Sequence, residues 1–332
     1  MYRAFQAISL LRIPVFKGDS KRWETLVKHM SLSSKCGFVG LAVNNLRMIK
    51  TDVDIVFMAY IYESSLLLLA LLKHLGICHR KIIVISHNTL NSGRNFIERL
   101  LFRMVYSTID MILFHSKKNM DESVNFGLVK SNHAQHFYWG DDLEFVDRMY
   151  SPSVNKFFIS TGRENRDYEI LIEAFVNPKS CLELYTNETN NENDYRYLQS
   201  KIGKYPNISI EYVDNSSMTT RRLAQRTARC CCVMIPLLHE QVNYCVGLTS
   251  MVEAMAMGKP IISSSNPYSP IDLEKEGIGI YANSVEEWKK AVLFFEQNPD
   301  KIKEMGKRAR QLAENWFNIN ETASLLEKEF SS

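Results

Sequence analysis

Gly247-Leu248-Thr249-Ser250-Met251-Val252-Glu253-Ala254-Met255-Ala256-Met257-Gly258-Lys259-Pro260-Ile261-Ile262 reads as a small-residue loop, a short helix and the opening of a buried strand. The first four residues let a backbone approach an anion closely and then begin a helix whose N–H groups face the ligand. Met251, Val252, Met255 and Ala256 give that helix an apolar face, and Gly258-Lys259-Pro260 is a helix stop. Glu253 falls within the first turn or two, near enough to the loop to accept hydrogen bonds from hydroxyls of the same ligand. This is the outline of a nucleotide-phosphate site. The same residues would also serve an ordinary strand–loop–helix unit.

The surrounding chain has 332 residues, 45% hydrophobic and 23% charged, a globular composition long enough for two cores. Its longest strongly apolar run, Leu66 to Leu72, is far shorter than the about 20 residues of a membrane span. At the N-terminus, MYRAFQAISLLRIPVF is interrupted by Arg12 and followed by no small-residue cleavage site, so it reads as a first strand. Seven cysteines include the adjacent Cys230, Cys231 and Cys232, whose alternating side chains cannot readily bridge one another on a strand. A reducing, cytoplasmic setting is the expectation, and no Cys/His spacing suggests zinc. Through Tyr150 there are 19 basic and 13 acidic residues, a balance of +6, against 21 and 24, or −3, in the remainder. Such a mild basic bias suits an anionic substrate or lipid surface rather than nucleic acid, whose binders carry denser Lys/Arg clusters.

In the first half, apolar strands alternate with helix-period segments: 54–59, 64–75, 81–85, 95–107 and 111–114. That alternation predicts an α/β unit with a parallel sheet. Ser86-His87-Asn88 follows a strand, at the end where open α/β sheets bind ligands. A histidine there also serves as a plain loop cap. Asp141 and Asp142 read as a solvated loop. The span 148–155, with Pro152, reads as a linker. After it come the strand 156–160 and a turn with Gly162, Arg163 and Arg166, whose guanidinium groups could clamp a diphosphate. Arg221, Arg222, Arg226 and Arg229 read as a solvated helix face, and Ser284-Val-Glu-Glu-Trp has capping-box spacing.

The pattern Gly-Leu-x-x-x-x-Glu-Ala-Met-Ala-x-Gly-Lys-Pro-Ile-Ile, with Gly162-Arg163 and the strand before His87, resembles the retaining glycosyltransferases of family 4 over nearly the whole chain from about Asp54 onward. The resemblance implies a GT-B fold, two Rossmann-like domains facing a central cleft. Residues 1–150 would bind the acceptor, 156–315 the nucleotide-sugar donor, and 316–332 would return toward the first domain. It implies that Glu253 binds the ribose and that Gly162 and Gly247 to Ser250 bind the donor. Arg163, and Arg166 in place of the family's lysine, would stabilise the leaving diphosphate, with His87 near the donor sugar. Cys245 stands where the family carries its first glutamate, the contact to the donor sugar. Lys17-Gly18-Asp19-Ser20 is the candidate for the glycine-rich turn, with Gly18 nearest the phosphates. The implied activity is a metal-independent, cofactor-free hexosyl transfer with retention, to a glycan or lipid-linked acceptor, in surface polysaccharide or glycoconjugate synthesis. An epimerase of the same fold, or a non-catalytic sugar-nucleotide binder suggested by Cys245, are the alternatives.

A membrane expectation rests on the segment 93–106. Phe96, Ile97, Leu100, Leu101, Met104 and Val105 read as the stripe facing the sheet. Phe102 would then lie among Arg99 and Arg103 on the solvent face, a mix that suits anionic headgroups at the inner face of a membrane.

Overall fold

The computed structural model describes residues 7–11, 27–31, 43, 46, 55–58, 63–149, 156–162, 165–176, 179–189, 194–214, 216–238 and 244–330. The chain divides into two compact units, Met1–Trp139 with Ile319–Ser332, and Gly140–Asn318.

In the first unit, β1 (Ala7–Leu11), β2 (Val27–Ser31), β3 (Ile55–Met58), α1 (Glu63–His74), β4 (Lys81–Ser86), α2 (Phe96–Thr108), β5 (Met111–Phe114), α3 (Lys117–Asn125), a 3-10 turn at Ser131–His133 and β6 (Ala134–His136) follow one another. The strands form one parallel sheet in the order β2-β1-β3-β4-β5-β6. The run Ile82–Ser86 is buried throughout, as a strand covered by helices on both faces requires. Val84, Ile112 and Phe114 meet Leu69, Val105 and Tyr106 in its core.

The orientation of α2 differs from the sequence expectation. Phe102 and Met104 pack against the core, whereas Phe96, Ile97 and Leu100 are 79%, 68% and 62% exposed. The face that packs is set by Val105 and Tyr106, both buried, and Phe102 lies one turn before Tyr106 on that same side.

The second unit contains α4 (Leu143–Met149), β7 (Phe157–Ser160), α5 (Tyr168–Ala174), β8 (Cys181–Thr186), α6 (Leu198–Ile202), β9 (Ile208–Tyr212), α7 (Ser217–Thr227), β10 (Cys232–Ile235), α8 (Leu248–Ala256), β11 (Ile261–Ser263), β12 (Gly279–Tyr281), α9 (Val285–Gln297) and α10 (Pro299–Asn315). Its parallel sheet runs β12-β11-β10-β7-β8-β9. The C-terminal helix α11 (Ile319–Phe330) belongs to the first unit. The units divide between Trp139 and Gly140 rather than in the expected linker, because α4 packs within the second unit, where Arg221 of α7 lies 5.7 Å from the Phe145 ring. Asp142, expected to be solvated, is buried and caps α4, its Oδ1 accepting from the N–H groups of Glu144 (2.9 Å) and Phe145 (3.2 Å).

The arginines of α7 are structural as well as surface groups. Arg222 pairs with Glu211 of β9, and Arg226 pairs with Glu183 of β8 while lying 4.2 Å from the Phe157 ring centre. Ser284 caps α9 as its spacing suggests, accepting from Glu287 N–H at 3.3 Å.

Helix α8 ends on Gly258, in the left-handed region at φ +62°, with Gly258 N–H bonded to Met255 O and Lys259 N–H to Ala254 O, a Schellman closure. There α10 makes a close approach: a Cβ on Gly306 would stand 2.3 Å from Gly258 O. Gly306→Ala must push the two segments apart and is expected to cost about 1–3 kcal/mol in urea unfolding; an unchanged midpoint and slope would show that the contact yields freely.

Candidate functional site

Strand β7 ends at Ser160, and the chain turns through Gly162 and Asn165 before α5. Asn165 holds φ +55°, an uncommon conformation for a residue other than glycine. Its neighbours tie the turn to the segment after β10: Asp167 N–H donates to Pro236 O, Leu238 N–H to Asn165 O, and Arg166 bridges Leu237. The Arg166 backbone is fixed from the other side by the Tyr195 hydroxyl, which accepts its N–H at 3.1 Å and donates to its carbonyl at 3.2 Å. The Arg166 side chain is buried and folds back over Gly162, where an added Cβ would stand 2.1 Å from Nε. Its Nη2 donates to Ser250 Oγ at 3.3 Å.

Ser250 is in the first turn of α8. The helix opens on Gly247 at φ +85°, where a Cβ would also press on Ile235 and Leu237 at 3.1 and 3.2 Å. Leu248 N–H turns back to Cys245 O at 3.1 Å; Thr249 and Ser250 follow it in the first turn, where N–H groups have no intrahelical acceptor. A guanidinium and the positive end of a helix are thus joined through one serine. Both favour negative charge, and the combination suits an anion with several oxygens. Glu253 is half-buried on the next turn of α8, and Cys245 is half-buried just before the helix. Under the turn, Tyr168 donates to Gly162 O, and burial pushes its phenol up to about 12.

In the first unit, the end of β4 opens into a depression of about 360 Å³ lined by Glu63, Ser86, His87, Asn88, Thr89, Leu90 and Asn91. Helix α3 anchors this loop: Asn119 donates to His87 O at 2.9 Å, Ser123 Oγ accepts Leu90 N–H at 3.0 Å, and Thr89 donates to Glu122 at 2.7 Å. The half-buried His87 ring lies 4.4 Å from the buried ring of His115, which in turn meets Phe137 at 4.7 Å. Burial, with His87 and His136 as lesser causes, holds His115 well below the usual histidine range, so it is neutral.

Gly162, Arg166, Gly247, Leu248, Thr249 and Ser250 therefore come together in the second unit, with Glu253 a turn further along α8. His87 sits in the first. Arg163 and Gly18 lie outside the described residues. Sequence reasoning missed Tyr195, 29 residues from Arg166 with no motif around it, and His115, whose only signal was its place after a strand.

Two parallel α/β units in succession are consistent in architecture with the GT-B fold, which the structural matches support. No protein-family model matches the chain, and no curated protein matches it in sequence. Solved structures do match in fold. Anabaena HepE in complex with UDP-glucose superposes with a TM-score of 0.69 at 13% identity, covering 98% of this chain and 99% of that one. A glycosyltransferase from Rickettsia africae gives 0.69 at 13% identity, covering 99% and 98%. WaaG, a glycosyltransferase involved in lipopolysaccharide biosynthesis, gives 0.56 at 12% identity, covering 98% of each. Among the described residues no helix is long and apolar enough to cross a membrane, and no group of three or more His, Cys, Asp or Glu side chains is placed to hold a metal ion.

The buried neutral His115 makes stability depend on pH. Its folded pKa is depressed below the unfolded value of about 6.5, so the unfolded chain takes up the proton first and stability falls as pH drops below about 6.5. His115→Phe, which keeps the ring contacts, should reduce the acid slope by up to about 1.4 kcal/mol per pH unit. Parallel urea titrations from about pH 7 to about pH 5 test this; identical slopes would mean that His115 does not stay neutral in the fold.

Proposed function

We propose that this chain is a glycosyltransferase that moves a hexosyl group from a nucleotide-diphosphate sugar to a glycan or lipid-linked acceptor. The observation that carries the reading is the buried Arg166 guanidinium bonded to Ser250 at the start of α8. The fold likeness to HepE, solved with UDP-glucose, supports a donor of that class. In this reading the diphosphate lies against Arg166, Arg163 and the N–H groups of Gly247 to Ser250, and Glu253 binds the ribose hydroxyls. As the anomeric bond breaks, charge collects on the departing diphosphate. Donors fixed beforehand by Tyr195, Gly162 and Ser250 stabilise that charge without reorganising, an effect worth several kcal/mol in preorganised sites.

Retention of configuration fits the resemblance to family 4. The acceptor hydroxyl then attacks from the face the diphosphate leaves, and a diphosphate oxygen takes its proton, with no metal or cofactor in the step. His87 is assigned to the donor sugar and its phosphates, as the resemblance to family 4 implies. Surface polysaccharide or glycoconjugate synthesis is the proposed setting. Cys245, in place of the expected glutamate, favours a second reading as a non-catalytic sugar-nucleotide binder.

Incubating the purified chain with labelled nucleotide sugars, and following nucleotide release and the anomeric signal of the product by NMR, separates these readings. Transfer with retention supports the first; nucleotide binding without turnover on any donor or acceptor supports the second. Glu253→Ala is expected to weaken nucleotide binding by about 1.5–3 kcal/mol in calorimetry. Unchanged affinity would remove the ribose assignment. Arg166→Ala should lower kcat more than it raises KM, because its main work comes when the diphosphate charge grows. A change in KM alone would assign it to uniform binding.

A further inference from the structure

Helix α2 turns an apolar and cationic face away from its own core. Phe96 and Leu100 lie one turn apart, Arg103 and Ser107 continue the same line, and Arg99 flanks it, opposite the side on which Phe102, Val105 and Tyr106 pack. With Ile97, three large apolar side chains are more than 60% exposed within the first five residues of one helix. Single exposed apolar residues are common; a cluster of this size beside arginines marks an interaction surface.

The helix end that carries the cluster is firmly built. Asn95 Oδ1 accepts Glu98 N–H at 2.9 Å, and the Glu98 carboxylate accepts Arg94 N–H at 2.7 Å. Gly93 takes φ +82°, where a Cβ would stand 2.6 Å from Arg99 N. The Glu98 carboxylate is turned back into the cap, so the charge offered beside the apolar residues is that of the exposed Arg94, Arg99 and Arg103.

We propose that this face docks on an anionic phospholipid surface, with Phe96, Ile97 and Leu100 entering the boundary between headgroups and acyl chains and the three arginines meeting lipid phosphates. Charge decides between occupants. A second copy related by a two-fold axis would bring Arg99 and Arg103 toward their own counterparts, whereas lipid phosphates satisfy them. The inference concerns only the first unit and stands independently of the donor chemistry proposed above.

The test uses the full chain and vesicles of equal parts phosphatidylglycerol and phosphatidylcholine, with phosphatidylcholine alone as the comparison. Sedimentation with the anionic vesicles at low salt, release at high salt and little binding to neutral vesicles are expected. Phe96→Ser with Leu100→Ser, and separately Arg99→Glu with Arg103→Glu, should each lower the partition coefficient at least about tenfold. These side chains are exposed, so the melting temperature should hold. Recovery of the wild-type chain in the supernatant with anionic vesicles, or variants that sediment as it does, overturns the proposal. So does a dimer by light scattering that Phe96→Ser with Leu100→Ser dissociates, since the face then belongs to a second copy. As a direct check on insertion, an environment-sensitive dye on Leu100→Cys should shift to the blue with anionic vesicles, and an unshifted spectrum counts against insertion.

Discussion

A cation held at the wrong end of a helix organises the second unit. Arg166 meets α8 at its N-terminus through Ser250, where the helix already carries partial positive charge. Left to itself, that end favours acidic side chains and disfavours a guanidinium. The opposite end of the same helix follows the ordinary rule: Arg310 donates to Ala256 O at 2.8 Å and pairs with Asp147 at 2.8 Å, a cation where the dipole is negative. One helix thus has arginines at both ends, and the one at the C-terminus follows the helix dipole. The arginine at the N-terminus is the one for which an anionic ligand is proposed.

Holding Arg166 there requires concessions from residues far apart in the chain. Gly162 gives up a side chain so that the guanidinium can lie on its backbone, and Gly247 does so where Ile235 and Leu237 crowd the turn. Asn165 takes a left-handed conformation, a kind of strain that costs about 1 kcal/mol or more and persists only where neighbours enforce it. Those neighbours are Leu238, bonded to the Asn165 carbonyl, and the Tyr195 hydroxyl on both backbone groups of Arg166. A turn held from both sides in this way is preorganised, as the proposed electrostatic role would require.

Much of this architecture was legible in the sequence because buried parallel strands announce themselves as short, unbroken apolar runs. Lys81–Ser86 and Met111–Phe114 fall within a residue of where the pattern put them. The loop–helix–strand at Gly247 to Ile262 was equally clear, since glycine and proline mark both ends of α8. What the sequence could not convey was pairing across distance. Nothing near Tyr195 signals that it clamps Arg166, and two adjacent aspartates in a loop gave no hint that Asp142 is a buried helix cap. The arginines of α7 read as a solvated face because their partners, Glu183 and Glu211, lie on strands reached only after folding.

The orientation of α2 was misread for a reason that periodicity alone cannot repair. Its apolar residues cover so much of the circumference that two different stripes are available, one through Phe96, Ile97 and Leu100 and one through Phe102, Val105 and Tyr106. Tyr106 decides between them. Its hydroxyl accepts Asn91 N–H at 3.1 Å, and its one proton faces both the Glu63 carboxylate and Asn91 O (3.0 Å), fixing the loop after β4 against the start of α1. Turning the other stripe inward would withdraw Tyr106 from all three partners and leave Glu63 and the Asn91 backbone, both lining the pocket beside His87, without the group that orders them. The hydrogen bonds of Tyr106 act together with the packing of Phe102, Val105 and its own ring to hold this face inward, and the same rotation that builds the His87 pocket is what places Phe96 and Leu100 in solvent.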